Sequence, residues 1–281
     1  TPDISLYMGS FILRGKNGQF GNAANQTWSG AIRGHESWDT NRREHILYET
    51  PTLYGFSVQA AVAADNYWDV ALRYAGEHHG FRVAFGIGYQ EDTDFNGSVQ
   101  QFNQAGALCS TNCDVKTSDL KGSASILHTA TGLFLTGAAG NRELTGTQTS
   151  SAATSYVGPD ARFWWLAGGV SKNFFGIGNT VLFGEYGEHK GGLAQQAFLT
   201  RSAQFTNCNA TTTSANCDST VTSWGLGVNQ YIDAAAMEIF ATYKNMSLDT
   251  NGFTDGSSTL NKSASGVHDL QIFMVGTKIN F

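Results

Sequence analysis

Charge, proline and long apolar runs are all scarce in this chain, and each scarcity removes a class of protein. Charged residues make up 14% of the 281 positions, against about 25% in ordinary soluble domains. Mean hydropathy is still −0.22, so Ser, Thr, Asn, Gln and Gly supply the polarity. A globular core in a charged shell does not give that balance. Only 3 prolines interrupt the chain. The densest apolar stretch, Phe163 to Val170, falls far short of the ~20 residues of a membrane-spanning helix. No basic start followed by an apolar segment marks a leader at Thr1-Pro2-Asp3. The numbering is therefore expected to begin after processing, or inside a longer chain. The net charge of −6 argues against nucleic acid as a partner, because phosphate binding needs clustered Lys and Arg. No GxSxG, HExxH or phosphate-loop spacing occurs.

What is abundant is glycine, at 33 residues, and aromatic side chains, at 12%. They are arranged with a period of two, the signature of strands. Phe81, Val83, Phe85, Ile87 and Tyr89 share one face, and Arg82, Ala84, Gly86 and Gly88 the other. Trp68, Val70, Leu72 and Tyr74 oppose Asp69, Ala71 and Arg73 in the same way. Bulk lies on one face and small or charged groups on the other. The polar face of a soluble sandwich would carry more Lys, Glu and Thr and less Gly. Twelve such segments are predicted, near 4–15, 43–50, 54–64, 66–76, 80–91, 117–130, 132–142, 160–172, 179–189, 219–231, 235–247 and 267–281. Several reach the ~10 residues a tilted strand needs to cross a bilayer. Phe163 to Leu166 is apolar on both faces, and 267–281 changes phase near Gln271 to Phe273. A bulge, or a second packed face, would account for either.

Read back from the C-terminus, the connections alternate in length, with one exception, short on the long side, at Asp65-Asn66. Residues 92–116, 143–159, 190–218 and 248–266 are long, while 77–79, 131, 173–178 and 232–234 are short. Outer-membrane barrels have short periplasmic turns and long extracellular loops. The fold class expected is thus all-β, a transmembrane antiparallel β-barrel in one domain over 1–281. The connection at 16–42 differs in kind: it embeds Trp28 and Trp38 among Arg33, His35, Glu36, Asp39, Arg42 and Arg43. A loop that long inside a compact fold is usually functional or disordered, and the aromatics argue against disorder. Cys109/Cys113 and Cys208/Cys217 fall in long loops. Their spacing fits two local disulfides better than a zinc site, and disulfides imply an oxidising compartment.

The run from Arg43 to Tyr89 resembles the Gram-negative general porin family, of the α-proteobacterial type. The resemblance rests on Tyr48-Glu49-Thr50-Pro51, on Gly55-Phe56 opening the next strand, and on a terminal Phe281 with Ile279 two before it. It implies an integral protein of the bacterial outer membrane, set in lipid and lipopolysaccharide. It also implies a homotrimer of barrels of about sixteen strands, passing small hydrophilic solutes and ions, with no enzymatic activity and no cofactor. In that family a constricting loop folds inward after the fifth strand. If 16–42 is that loop, 4–15 is the fifth strand, twelve strands are present, and roughly the first four are missing upstream.

Alternation places Arg43, Glu49, Asp69, Arg73, Arg82, Lys121 and Glu238 toward the lumen, with Arg33, Glu36, Asp39 and Arg42 on the constricting loop. Acids on the loop facing bases on the wall would set a transverse field across the narrowest zone. The plainer reading is solvated charges or wall ion pairs. Asp92, Asp94 and Asn96 begin like a calcium loop, but position twelve is Asn103 rather than Glu, so the alternatives are a loose calcium site and an ordinary turn. His78 and His79 beside Glu77 read as a solvated turn before a metal site. Tyr48, Tyr54, Tyr67, Trp68 and Tyr89 fit interfacial girdles. The rival readings are a substrate-specific or complex-embedded porin, a soluble β-rich binding protein, and a twelve-stranded barrel hydrolase. The last would need a nucleophile near His128, where Ser125 and Thr129 stand.

Overall fold

The computed structural model describes residues 28–33, 44–64, 66–93, 113–148, 154–157, 160–193, 218–251, 253–254, 259–260 and 267–279. The expected strand at 4–15, most of 16–42, and Cys109, Cys208, Cys217, Asp94 and Asn96 lie outside them.

Period-two alternation becomes one antiparallel meander. In chain order the elements are α1 (Trp28–Arg33), β1 (His45–Glu49), β2 (Phe56–Ala63), β3 (Tyr67–His78), β4 (Phe81–Asp92), β5 (Cys113–His128), β6 (Leu133–Gln148), β7 (Thr154–Val157), β8 (Ala161–Lys172), β9 (Thr180–Lys190), β10 (Asp218–Ile232), β11 (Met237–Asn251), β12 (Phe253–Thr254), β13 (Thr259–Leu260) and β14 (Leu270–Ile279). Eleven strands pair in sequence order, β1-β2-β3-β4-β5-β6-β8-β9-β10-β11-β14, and β7 adds to β6. Every pairing is antiparallel.

The β3–β4, β5–β6, β8–β9 and β10–β11 turns lie at one end of the strands, and the short β2–β3 connection lies at the other, with the long connections. At the β3–β4 turn His79 and Gly80 both have positive φ, 49° and 82°, the two-residue hairpin geometry whose twist matches its flanking strands. At the other end the strands run further than alternation suggests. β6 continues to Gln148, β7 occupies part of the connection expected at 143–159, and β12 pairs with β13 inside 248–266. β5 begins at Cys113, inside the connection expected over 92–116. Ladder hydrogen bonds need no apolar face, so a strand outlasts its hydrophobic pattern where both faces are polar. The two ambiguous segments are regular, without bulges. Phe163 and Trp165 take one face and Trp164 and Leu166 the other, and β14 holds its register from Leu270 to Ile279.

The two faces differ in kind. One, hereafter the outer face, exposes Phe56, Trp68, Val70, Phe85, Ile87, Leu120, Ile126, Leu135, Trp164, Tyr186, Leu226 and Phe273. Water would penalise that surface, since large contiguous apolar patches are rare on soluble monomers. Its upper border, toward the long connections, is a line through Trp68, Tyr89, Leu120, Ala139, Trp164, Tyr186, Trp224, Tyr243 and Phe273. That line does not follow the hydrogen-bonded rows. It drops by two residues at every second strand pair, an average of one residue per strand. At a rise of ~3.3 Å per residue and ~4.8 Å between strands, this corresponds to a strand tilt of about 35°, within the range of outer-membrane barrels. The aromatics touch along the line: Trp68–Tyr89 at 5.3 Å, Trp164–Tyr186 at 5.5 Å and Trp224–Tyr243 at 5.4 Å between ring centroids. Tyr67 does not belong to this girdle as expected. Adjacent residues face opposite ways, so with Trp68 outward Tyr67 turns inward, where it is buried.

Candidate functional site

The other, inner face carries the chemistry, and strand parity decides which side chains reach it. Glu49, Asp69, Arg73, Arg82, Lys121 and Glu238 all stand on this face. Arg33 lies in α1, its side chain outside the described residues, as are Glu36, Asp39, Arg42 and Arg43. Cys113 opens β5, its side chain likewise not described.

The inner charges form local groups rather than one cluster. Beside the β3–β4 turn, Arg82 Nε donates to Glu77 at 2.9 Å. Arg73 approaches Glu49 at 3.9 Å across β2, with both side chains about half exposed (53% and 52%); such a pair contributes little in water. Toward the long connections, Arg142 donates twice to Asp119, at 2.6 and 2.5 Å. Gln90 Nε2 donates to the same carboxylate at 2.9 Å, and Lys121 lies 3.9 Å from it. Asp119 and Arg142 are directly opposed and almost wholly buried, at 1% and 4% exposure. On the far side, Glu185 accepts from Lys244 at 3.0 Å and from Trp165 Nε1 at 3.1 Å. Glu238 accepts from Asn229 at 2.7 Å. Asp119, Arg142, Glu185 and Lys244 were not singled out from the sequence. Their signal was parity alone, since each shares a face with a residue already assigned.

Three aromatic rings on this face lie over glycines of the neighbouring strand. A Cβ added at Gly140, Gly227 or Gly276 would collide with the ring of Phe163, Phe183 or Phe240. At these three positions only glycine leaves room for the neighbouring ring. Between β3 and β6 the inner wall is instead small: Ala84, Gly86, Ser123, Ser125, Thr136 and Ala138.

The helix α1 precedes β1 in the chain yet packs on β9 and β10. Trp28 and Ala31 are buried at 2% and 1%. The His189 ring makes a hydrogen bond to the backbone of Ile32 and stacks on Phe163 at 5.7 Å. Both rings are inner-face groups. Beneath them Ser219, Val221 and Ser223 of β10 are buried. A segment from before the first described strand thus lies on the inner face seven to eight strands further along the sheet.

Asp92 closes β4 with its side chain buried on the inner wall, while Asp94 and Asn96 lie outside the described residues. No group of three His, Cys, Asp or Glu able to hold a metal occurs among the described residues. Ser125 is on the inner face, bonded to Thr136 at 3.2 Å. His128 is on the outer face, bonded to Thr131 at 2.8 Å and stacked on Phe81. The pair considered for a hydrolase therefore sits on opposite sides of the sheet. His78 is bonded to Tyr74 at 2.5 Å.

A two-faced antiparallel meander with tilted strands, an outward aromatic girdle and inward charges has the fold of an outer-membrane β-barrel. Solved structures similar to the chain are bacterial outer-membrane barrel proteins. One is in-vitro folded OmpT, an outer-membrane protein of Vibrio cholerae: 16% identity, TM-score 0.45, covering 98% of this chain and 72% of that one. Another is an anion-selective porin from Comamonas acidovorans, at 14% identity and TM-score 0.43, covering 84% of this chain. A trimer form of the Vibrio OmpT matches at 15% and 0.42, over 83% of this chain. The chain spans 57% of the Comamonas protein's length and 61% of the OmpT trimer-form chain. No protein-family model and no curated protein sequence matches.

Proposed function

We propose that the chain forms the wall of a water-filled outer-membrane channel for passive diffusion of small hydrophilic solutes and ions, assembled as a homotrimer. The observation that carries this reading is the opposition of the two faces on the same strands. Phe85 and Ile87 are exposed outward while Arg73, Arg82 and Lys121 stand inward. A bilayer admits no unsatisfied polar surface on the outside, and a barrel of this class is too wide for its inward side chains to fill. The inward charges then line water. The segment holding α1 is the constricting element, seated on β9 and β10, with Glu36 and Asp39 supplying its acidic side. No covalent step is assigned to the chain.

Purified protein in planar bilayers tests the reading. Stepwise conductance in groups of three is expected, and protein that inserts with folded-barrel gel migration but never conducts would overturn it. A second reading, a substrate-specific channel, draws on the inner-face rings of Phe163, Trp165, Phe183 and Phe240. It predicts that one class of solute blocks the ion current at low concentration.

A further inference from the structure

The outer face falls away across β5 and β6. Across β5 and β6 four neighbouring outward positions are Gly122, Ala124, Gly137 and Ala139. On one side rise Phe85, Ile87 and Ile126, and on the other Trp164 and Leu166. The valley between them is a groove of about 910 Å³. Such a groove on a lipid-facing wall is filled by something apolar, because water gains no partners on its floor.

Its upper end is not apolar. Asn141, Arg162, Glu188 and Lys190 close it. Arg162 and Lys190 are directly opposed across β8 and β9, and both lie above the Trp164–Tyr186 girdle, at the depth of lipid headgroups. Lys190 is paired with Glu188 at 3.0 Å. Arg162 is exposed and has no ion pair among the described residues. An apolar trough capped by a net positive charge matches a molecule with an acyl chain below and an anion above.

We propose that this groove binds one anionic, phosphate-bearing lipid of the surrounding membrane. Its acyl chain lies along Gly122, Ala124, Gly137 and Ala139, and its phosphate is held by Arg162 and Lys190. A bidentate guanidinium fork suits a phosphate, and the ammonium adds a point charge. The inference rests on reading the outer face as lipid-facing and does not depend on what the pore conducts.

Native mass spectrometry of the detergent-purified full chain, titrated with phosphatidylglycerol or with phosphatidylcholine, tests it. One phosphatidylglycerol should be retained in preference to phosphatidylcholine. Replacing both cations, R162Q with K190Q, should lower that retention about 30-fold and abolish the preference. A second variant, A124L with A139L, fills the trough from side chains that already carry Cβ, so no backbone contact is created. It should reduce retention of both lipids. Bilayer conductance of the same preparations should stay unchanged, because none of these residues faces inward. Equal retention by wild type and both variants would overturn the proposal. So would a change in oligomeric state with unchanged lipid count, which would assign the groove to a second copy of the chain. Lost conductance with intact lipid preference would overturn the pore reading and leave this one standing.

Discussion

Lys244 reaches Glu185 across an intervening strand, Nζ to Oε1 at 3.0 Å, because the residue between them is Gly225. A Cβ at Gly225 would meet Glu185 Oε1 at 2.9 Å and the Tyr243 carbonyl at 2.8 Å. Side chains on alternate strands normally have another side chain between them, and here its absence lets the pair close. Both groups are largely covered, at 16% and 15% exposure. Gly225→Val should therefore open the pair and strain the ladder, costing about 1–3 kcal/mol. The temperature at which the folded band on an unboiled gel converts to the unfolded one measures this. An unchanged transition would mean that the strands slide to absorb the methyls.

Asp119 and Arg142 form the most buried ion pair described on the inner wall. Removing one partner takes away the two direct hydrogen bonds of the pair, and breaking a buried pair costs up to about 3–5 kcal/mol. Arg142→Gln and Asp119→Asn should each lower the urea midpoint of tryptophan fluorescence. The double variant should be less destabilised than the sum of the two, since contacting partners couple. Additive losses would show that the two side chains act separately.

The six wall charges were legible in the sequence because parity is a local property: once Phe81 to Tyr89 sets which side is apolar, Arg82 must face the other way. The Glu185–Lys244 pair was not legible. It depends on which residue of β10 stands between two others, and register is set by pairing across the sheet rather than within a segment. Tyr67 was readable and misassigned, since Trp68 beside it already occupied the outward direction. The upper ends of β5, β6 and β11 were missed because above the girdle the outer face is no longer apolar, and isolated inner-face residues such as Leu144 and Leu248 do not make an alternating pattern. The whole of α1 lies in a connection, where its seat on β10 has no counterpart in any local pattern.

That seat makes a prediction about conduction. Trp28 is 2% exposed, and truncating a buried Trp costs about 3–5 kcal/mol. The loss falls on a short docked helix rather than on the strand ladder, so it should release the helix locally instead of unfolding the sheet. Trp28→Ala should raise single-channel conductance while the gel transition of the barrel stays within a few degrees. Unchanged conductance would place α1 outside the path of the ions.

Neutralising inner-face bases should shift ion preference without affecting folding. Arg73 and Arg82 are both more than half exposed, and their partners Glu49 and Glu77 remain after substitution. Arg73→Gln with Arg82→Gln therefore leaves two additional uncompensated acids on the wall, and the channel should become more cation-preferring. Reversal potentials in a KCl gradient read the change, which should shrink as salt is raised and the charges are screened. A shift toward anions would invert the assignment of the two faces.

The orientation of the faces can also be tested through stability alone. Phe85 and Ser123 lie one residue out of step across the β4–β5 ladder, Phe85 opposite Ala124 and Gly86 opposite Ser123, and they point in opposite directions. An Arg placed at the lipid-facing midplane of a barrel costs about 2–4 kcal/mol, while a lumen position tolerates it. Phe85→Arg should thus destabilise the protein by roughly that amount in phospholipid vesicles, with Ser123→Arg close to wild type. The same Ser123→Arg should reduce conductance, because it adds bulk and charge where the wall is otherwise Gly86, Ser123 and Ala138. If Ser123→Arg were the destabilising change and Phe85→Arg the silent one, the side taken as lipid-facing would be the one that meets water.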